Sequence, residues 1–256
     1  MNALQTLSST ILIMLLCLGS AQAEENTDNL TDMWVVEVNV NDRQAFESAL
    51  KKHMQFRVNA GDPKEWNVYT QVIGEQMNQY TLRACCTNWD KIADYNAWAS
   101  KSNTGKHWAQ TVRKYTIAVN HYYSEVDSDN SAWDNSKNFK YFSVDTLTPK
   151  AGEGFAVRAS IKKISDAAKN MQWPESWVWH NRIGGAAQIS LVVGHESYAD
   201  MMPAVKSFFV QLSEQMKDKA KAQSLLETYG KHFAKSEYAV YVHRVDLSSP
   251  KSKTSK

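Results

Sequence analysis

The chain has 256 residues, with 29 Lys and Arg against 27 Asp and Glu, for a formal net charge of +2. So even a balance leaves no electrostatic footprint for nucleic acid, and the length suits one large domain or two of about 100 residues each. The 3 cysteines are too few for a disulfide framework.

Residues 1–23 contain no charged side chain, an apolar run from Ile11 to Leu18, and Ala21 and Ala23 ahead of Glu24. This is the pattern of a secretory signal peptide cleaved after Ala23, although Lys or Arg near Met1 is lacking. It predicts a periplasmic or secreted protein. Leu16 stands where a lipoprotein signal would want a small residue before Cys17, so no lipid anchor is expected. No later segment reaches the roughly 18 consecutive apolar residues of a membrane span, so no stable membrane insertion is expected.

Residues 24–126 read as a first unit. Trp34 to Val40 alternates like a strand, and Asn41 and Gln44 have capping-box spacing for a helix. Phe46, Ala49, Leu50 and Met54 recur at helical intervals until Gly61-Asp62-Pro63 ends them. Trp66 to Ile73 and Gln79 to Cys86 form a hairpin pattern around Gly74 and Asn78. Asn88 caps a second helical region, interrupted near Gly105, and Tyr115 to Val126 is the closing strand. Residues 127–138, rich in Ser, Asp and Asn, read as a linker. Asp127, Asp129 and Asp134 there lack the glycine and closing glutamate of a calcium loop.

Residues 139–247 read as a second unit in the same order. Thr148-Pro149 marks a helix start, and Val157, Ile161, Ile164, Ala168 and Met171 give that helix one apolar side. The hairpin turns at Gly184-Gly185. A stripe of Met201, Met202, Val205, Phe208, Phe209, Leu212 and Met216 at helical spacing reads as core, and Glu237 to Asp246 ends the fold. Residues 248–256, with Lys251, Lys253 and Lys256, form a basic tail.

The two units are one plan written twice. An offset of 111 pairs Leu50 with Ile161, Trp66 with Trp177 and Gly74 with Gly185; past the hairpin turn an offset of 109 pairs Trp89 with Tyr198. On one parity of the hairpin strands lie Trp66, Val68, Tyr80 and Leu82, matched by Trp177, Trp179, Ile189 and Leu191. The other parity is polar. The apolar face is expected to meet helices and the polar face water or the other sheet.

This element order and face pattern resembles the dimeric α/β-barrel superfamily of ferredoxin-like domains. The resemblance covers almost all of residues 24–247 and rests on no signature motif. It implies an α+β fold in which two tandem ferredoxin-like βαββαβ units pack sheet to sheet as an intramolecular barrel. Members of the superfamily include cofactor-independent monooxygenases, haem-degrading and haem-binding enzymes, stress proteins and binding modules, so the fold leaves function open.

No serine elbow, phosphate loop, His-Glu-x-x-His or Cys-x-x-Cys occurs, and no metal site is expected. Two groups of residues stand out instead. His53 and Arg57 fall in the apolar arc of the first helix, where the second unit has Ile164 and Ala168. A buried polar pair needs partners, and two readings stand: a satisfied core histidine with an arginine that snorkels outward, or a pair that lines a ligand cavity between helix and sheet in the first unit only. The second group is Tyr69, Gln71, Arg83, His180 and Arg182, which converge if the polar faces enclose a barrel. Two arginines and a histidine would suit an anionic group such as a carboxylate.

Adjacent Cys85 and Cys86 on a strand point to opposite faces, which predicts two buried free thiols rather than a vicinal bond. Asn39, Trp66 and His107 are similar in kind to the Asn, Trp and His of haem-degrading members, but no local motif joins them and no catalytic residue is assigned. The expectation is an exported protein, monomeric or weakly self-associating, that binds a small, partly aromatic or carboxylate-bearing molecule. A cofactor-independent oxygenase or haem-handling enzyme is the alternative, and an interaction module without ligand a third. No cofactor is predicted, haem being the one the resemblance leaves open.

Overall fold

Apolar and polar residues alternate along the strands, so each strand has one face that needs a core and one that needs polar company. A closed ring of strands wrapped by helices meets both needs. The computed structural model describes residues 28–202 and 206–250; the segment expected to be a signal peptide, Val205 and residues 251–256 lie outside them.

In chain order the elements are β1 (Leu30–Val38), α1 (Arg43–Asn59), β2 (Asn67–Ile73), β3 (Gln79–Thr87), α2 (Trp89–Lys101), α3 (Thr104–Thr111) and β4 (Thr116–Ala132). Then come β5 (Tyr141–Pro149), α4 (Gly154–Asn170), β6 (Ser176–Ile183), β7 (Ile189–His195), α5 (Phe208–Met216), α6 (Lys219–Lys231) and β8 (Phe233–His243). The strands close in the order β1-β3-β2-β8-β5-β7-β6-β4, every neighbour antiparallel. Each half of the chain supplies a block of four, and the blocks meet where β2 pairs with β8 and β4 with β6. Closure leaves no strand edge open.

The apolar parity faces outward onto the helices. Val36, Val68, Tyr80 and Leu82 pack against Phe46, Leu50 and Met54 of α1, and Trp177, Trp179 and Ile189 against Val157, Ile161 and Ala168 of α4. Among the described residues no helix is long and apolar enough to cross a membrane.

Four local expectations are corrected. The capping box at Asn41 and Gln44 does not form; Asn39, extended at φ −62°, caps a short 3-10 turn over Val40–Asp42 by accepting from the Asn41 amide at 2.9 Å, and α1 follows from Arg43. The Met and Phe stripe is not one helix: Ser207 caps α5 just ahead of Phe208, so Met202 is left 72% exposed while Leu212 is buried.

The expected linker is in part strand. β4 runs on to Ala132 and pairs with Trp177 of β6 after a break in register. Its loop-like residues build the irregularity, since Asn130 donates to both Asp127 carboxylate oxygens at 3.2 and 2.7 Å, and the Ser131 hydroxyl accepts from the Trp179 amide at 2.9 Å. Cys85 and Cys86, finally, are exposed and joined by a disulfide. Thr31 pairs with Cys85 and Leu30 with Thr87, so Cys86 sits in a bulge and strict alternation of faces is lost there.

Leu50 is fully buried under this sheet. Leu50→Ala is expected to destabilise the protein by about 2–5 kcal/mol, read as the shift of a urea unfolding midpoint.

Candidate functional site

Strand parity sets up the site. Asp32 and Trp34 of β1 stand opposite Tyr123 and His121 of β4, on the face turned to the helices. From the other side α1 presents His53 and Arg57, one helical turn apart. With α2 and α3 these walls enclose a cavity of about 530 Å³, a size common for small-molecule sites. Trp34, Trp66, Tyr95, Trp108 and Tyr123 give it an aromatic lining.

Asp32 is 3% exposed. Its Oδ1 accepts from His121 Nε2 at 2.9 Å and its Oδ2 from Lys64 Nζ at 2.5 Å, while the Lys64 ammonium lies 3.6 Å from the centre of the Tyr95 ring. Burial opposes ionisation of Asp32, yet the hydrogen bonds from His121 and Lys64 and their charge hold its carboxyl below the usual range. A carboxylate only accepts. In its neutral form the His121 ring carries the proton on Nε2, facing Asp32, and a lone pair on Nδ1. Stacking on Trp34 at 4.1 Å fixes the plane of that ring.

Arg57 does not snorkel. It donates to Asp62 at 2.5 Å and to the Tyr95 hydroxyl, and lies over the Trp66 ring at 5.1 Å. Burial pushes the Tyr95 hydroxyl well above the usual phenol range, so it stays protonated. The Trp66 indole also donates to Asp62, at 3.2 Å.

His53 is buried, with Nδ1 3.0 Å from Nδ1 of His107. Burial first, then the charges of Arg57 and His107, push its pKa down to about 3, so the ring is neutral. The hydrogen-bond network assigns the protons. The Thr111 hydroxyl donates to the His107 carbonyl at 2.6 Å, which leaves its oxygen only an accepting role towards His107 Nδ1, 3.3 Å away. With the Thr111 contact taken as a hydrogen bond, His107 Nδ1 bears the proton that His53 Nδ1 accepts. The proton of His53 sits on Nε2, at the ring edge turned away from His107.

In the second half the matching region carries aromatic rings packed on one another and on the sheet. Trp173 meets Phe208 edge-on at 5.2 Å, Tyr229 lies 6.4 Å from Trp179, and the Trp179 indole donates to Ser165 of α4 at 3.1 Å. Ile164 and Ala168 offer this region no polar group.

The barrel interior gathers the other predicted residues. The Tyr69 hydroxyl lies against Arg83, and the Arg83 charge acts on His180. Gln71 donates to the Tyr241 hydroxyl at 2.9 Å. Arg182 stands apart at the hairpin end, bound to the Gly184 carbonyl at 2.9 Å and to Gln188 at 2.7 Å, its guanidinium 3.9 Å from the Tyr122 ring centre. Asn39, Trp66 and His107 do not form one group: Trp66 lines the cavity, His107 backs His53, and Asn39 is spent on its cap.

No family model matches the chain, and no curated protein matches it. Solved structures do. A Fusobacterium nucleatum protein assigned as a monooxygenase is similar with a TM-score of 0.55 at 11% identity, over 86% of this chain and 94% of that one. An anthrone oxidase-like protein is similar at 0.52 and 10%, over 85% and 92%. A chlorite dismutase variant from Candidatus Nitrospira defluvii is similar at 0.51 and 8%, over 86% and 92%. Likeness at such identity establishes the fold, which is of the dimeric α/β-barrel type.

The His53 state has a pH consequence. A folded pKa of about 3 against an unfolded value of about 6.5 means that the unfolded chain binds more protons between those limits, so stability falls as pH drops through that window. His180, also pushed down to about 3 by burial, adds to the loss. His53→Leu is expected to flatten the decline of the urea midpoint between pH 6.5 and 4 in part, and an unchanged slope would contradict the buried neutral imidazole.

Proposed function

We propose that this protein is an oxygenase of the cofactor-independent kind, acting on a small aromatic molecule with an acidic hydroxyl or enolisable carbonyl in the cavity of its first half. The observation that carries the reading is a pair of imidazoles of opposite character on one aromatic cavity. His121 has a lone pair, steadied by a buried carboxylate; His53 has an N–H.

The chemistry follows from that pairing. His121 Nδ1 takes the substrate proton as general base, and Asp32 holds the ring in the required tautomer and stabilises the imidazolium that forms. The negative charge left on the substrate oxygen is met by the His53 Nε2–H, a donor set in place before the reaction and shielded from bulk water. The resulting electron-rich anion is what dioxygen oxidises when no cofactor takes part. Trp34, Trp108 and Tyr123 supply flat apolar walls for such a substrate. The monooxygenase assignment and the anthrone oxidase-like name among proteins of the same fold support this reaction class. The four-strand blocks fit a reading as tandem ferredoxin-like units, and residues 1–23 support an exported setting.

The same dyad favours a second reading. A carboxylate behind an imidazole is also the arrangement that supports a metal-bound histidine. If haem is the occupant, His121 would hold it through Nδ1, Asp32 would tune that imidazole, and haem would supply one-electron and dioxygen chemistry.

Anthrone serves as the probe, its oxidation by one dioxygen giving anthraquinone and water. The protein is expected to accelerate dioxygen uptake, and His121→Ala to lower the rate by about 10²- to 10⁴-fold. An unchanged rate in that variant would remove His121 as the base. Titration with hemin separates the readings: a Soret shift that His121→Ala abolishes would replace the first with the second.

A further inference from the structure

A cation stands inside the barrel without a counter-charge. Arg83 points inward from β3, and among the described residues no ion pair includes it. The carboxylates on the same inward parity are taken elsewhere: Glu37 accepts from Asn78 at 3.2 Å, and Glu237 pairs with Lys235 at 2.9 Å. Taking an arginine out of water without an anion beside it is expensive. The Tyr69 hydroxyl and a neutral His180 do not balance it.

A second observation points to the same place. Two buried side-chain polar atoms among the described residues have no hydrogen-bond partner, Thr31 Oγ1 and His180 Nδ1. Both belong to the inward parity of their strands. Of the two, His180 lies close enough to feel the Arg83 charge, while Thr31, fully buried and paired with Cys85 and Ser124, takes no part in the site. Orphaned atoms of this kind are rare in folded proteins and call for a partner. Arg83 and His180, though deep in the protein, both keep accessible surface, so they border open space. An eight-stranded barrel has room inside for side chains or for one small ligand.

We propose that the barrel interior is a second binding site, holding one small carboxylate-type anion between Arg83 and His180. The planar guanidinium has donors arranged to meet both oxygens of a carboxylate. A neutral imidazole adds one N–H, the Tyr69 hydroxyl another donor, and Tyr241 and Phe142 close the space with aromatic surface. The site is independent of the helix–sheet cavity. It lies on the opposite face of β1, β3 and β4, and it needs neither His53 nor His121.

The test uses the full chain and potassium acetate as probe, with potassium chloride at equal ionic strength as control, in a buffer whose own anion is bulky. Binding to the folded state raises the melting temperature by mass action. A rise of about 3 °C is expected once acetate exceeds half-saturation tenfold, with a smaller rise in chloride. Arg83→Met is expected to be at least as stable as the parent without acetate and to lose the response. Line broadening of ¹³C-acetate by the parent, absent with His180→Leu, gives the same reading if Arg83→Met fails to fold. A parent indifferent to acetate, a chloride response as large, or a response kept in both variants would overturn the proposal. Dioxygen uptake with anthrone is unaffected by these outcomes, so the two sites stand or fall separately.

Discussion

The junctions of β2 with β8 and of β4 with β6 turn eight strands into a ring, and the rest of the molecule is built on that ring. Backbone amides and carbonyls at a sheet edge must find partners. Here each half gives the other the partners it lacks, so neither four-strand block has a free edge. Closure also sorts the side chains. Because residues along a strand alternate between faces, a ring has one lining and one coat. The coat carries Val36, Leu82, Trp177 and Trp179 against the helices, and the lining carries Tyr69, Arg83, Tyr122 and His180.

The two polar sites are exceptions to this sorting of different kinds. In the coat of the first half, Asp32, His53, Arg57 and His121 interrupt apolar parity, and each is answered by another group: Asp32 by His121 and Lys64, Arg57 by Asp62, His53 by His107. What is left over when both rings are neutral is one lone pair and one N–H, the two groups that the proposed proton transfer uses. In the lining the groups are not all answered. A network whose members satisfy one another is structural by default, whereas one that leaves a cation and a buried nitrogen unmatched has a place reserved in it.

Much of this architecture was legible in the residues. Alternation in the hairpin strands assigned their faces, and the offset between halves singled out His53 and Arg57 against Ile164 and Ala168. The partners were harder to see. Asp32 lies ahead of Trp34, where a run of apolar alternation first becomes visible, so the true start of β1 at Leu30 and the carboxylate it brings went unread. His121 stood within a recognised strand, and a parity count there would have placed it beside Trp34. Lys64 and Tyr95 meet only because a loop and α2 converge in space, which no periodicity encodes. Polar runs misled in another way. Asp127 to Ser131 have the composition of a loop and use the same hydrogen-bonding capacity to shape a bulge in a long strand. Cys85 and Cys86 likewise needed knowledge of a register shift that only pairing reveals.

Joining both halves in one chain has a consequence for symmetry. In a two-fold dimer the same patch occurs on both subunits, so any side chain that opens a cavity in one opens it in the other. A single chain lifts that constraint. Trp173, Phe208 and Tyr229 can fill one space with aromatic rings while His53 and Arg57 keep the other open. A change at position 53 is made once, and the half that holds the cavity can vary without the other half losing its core.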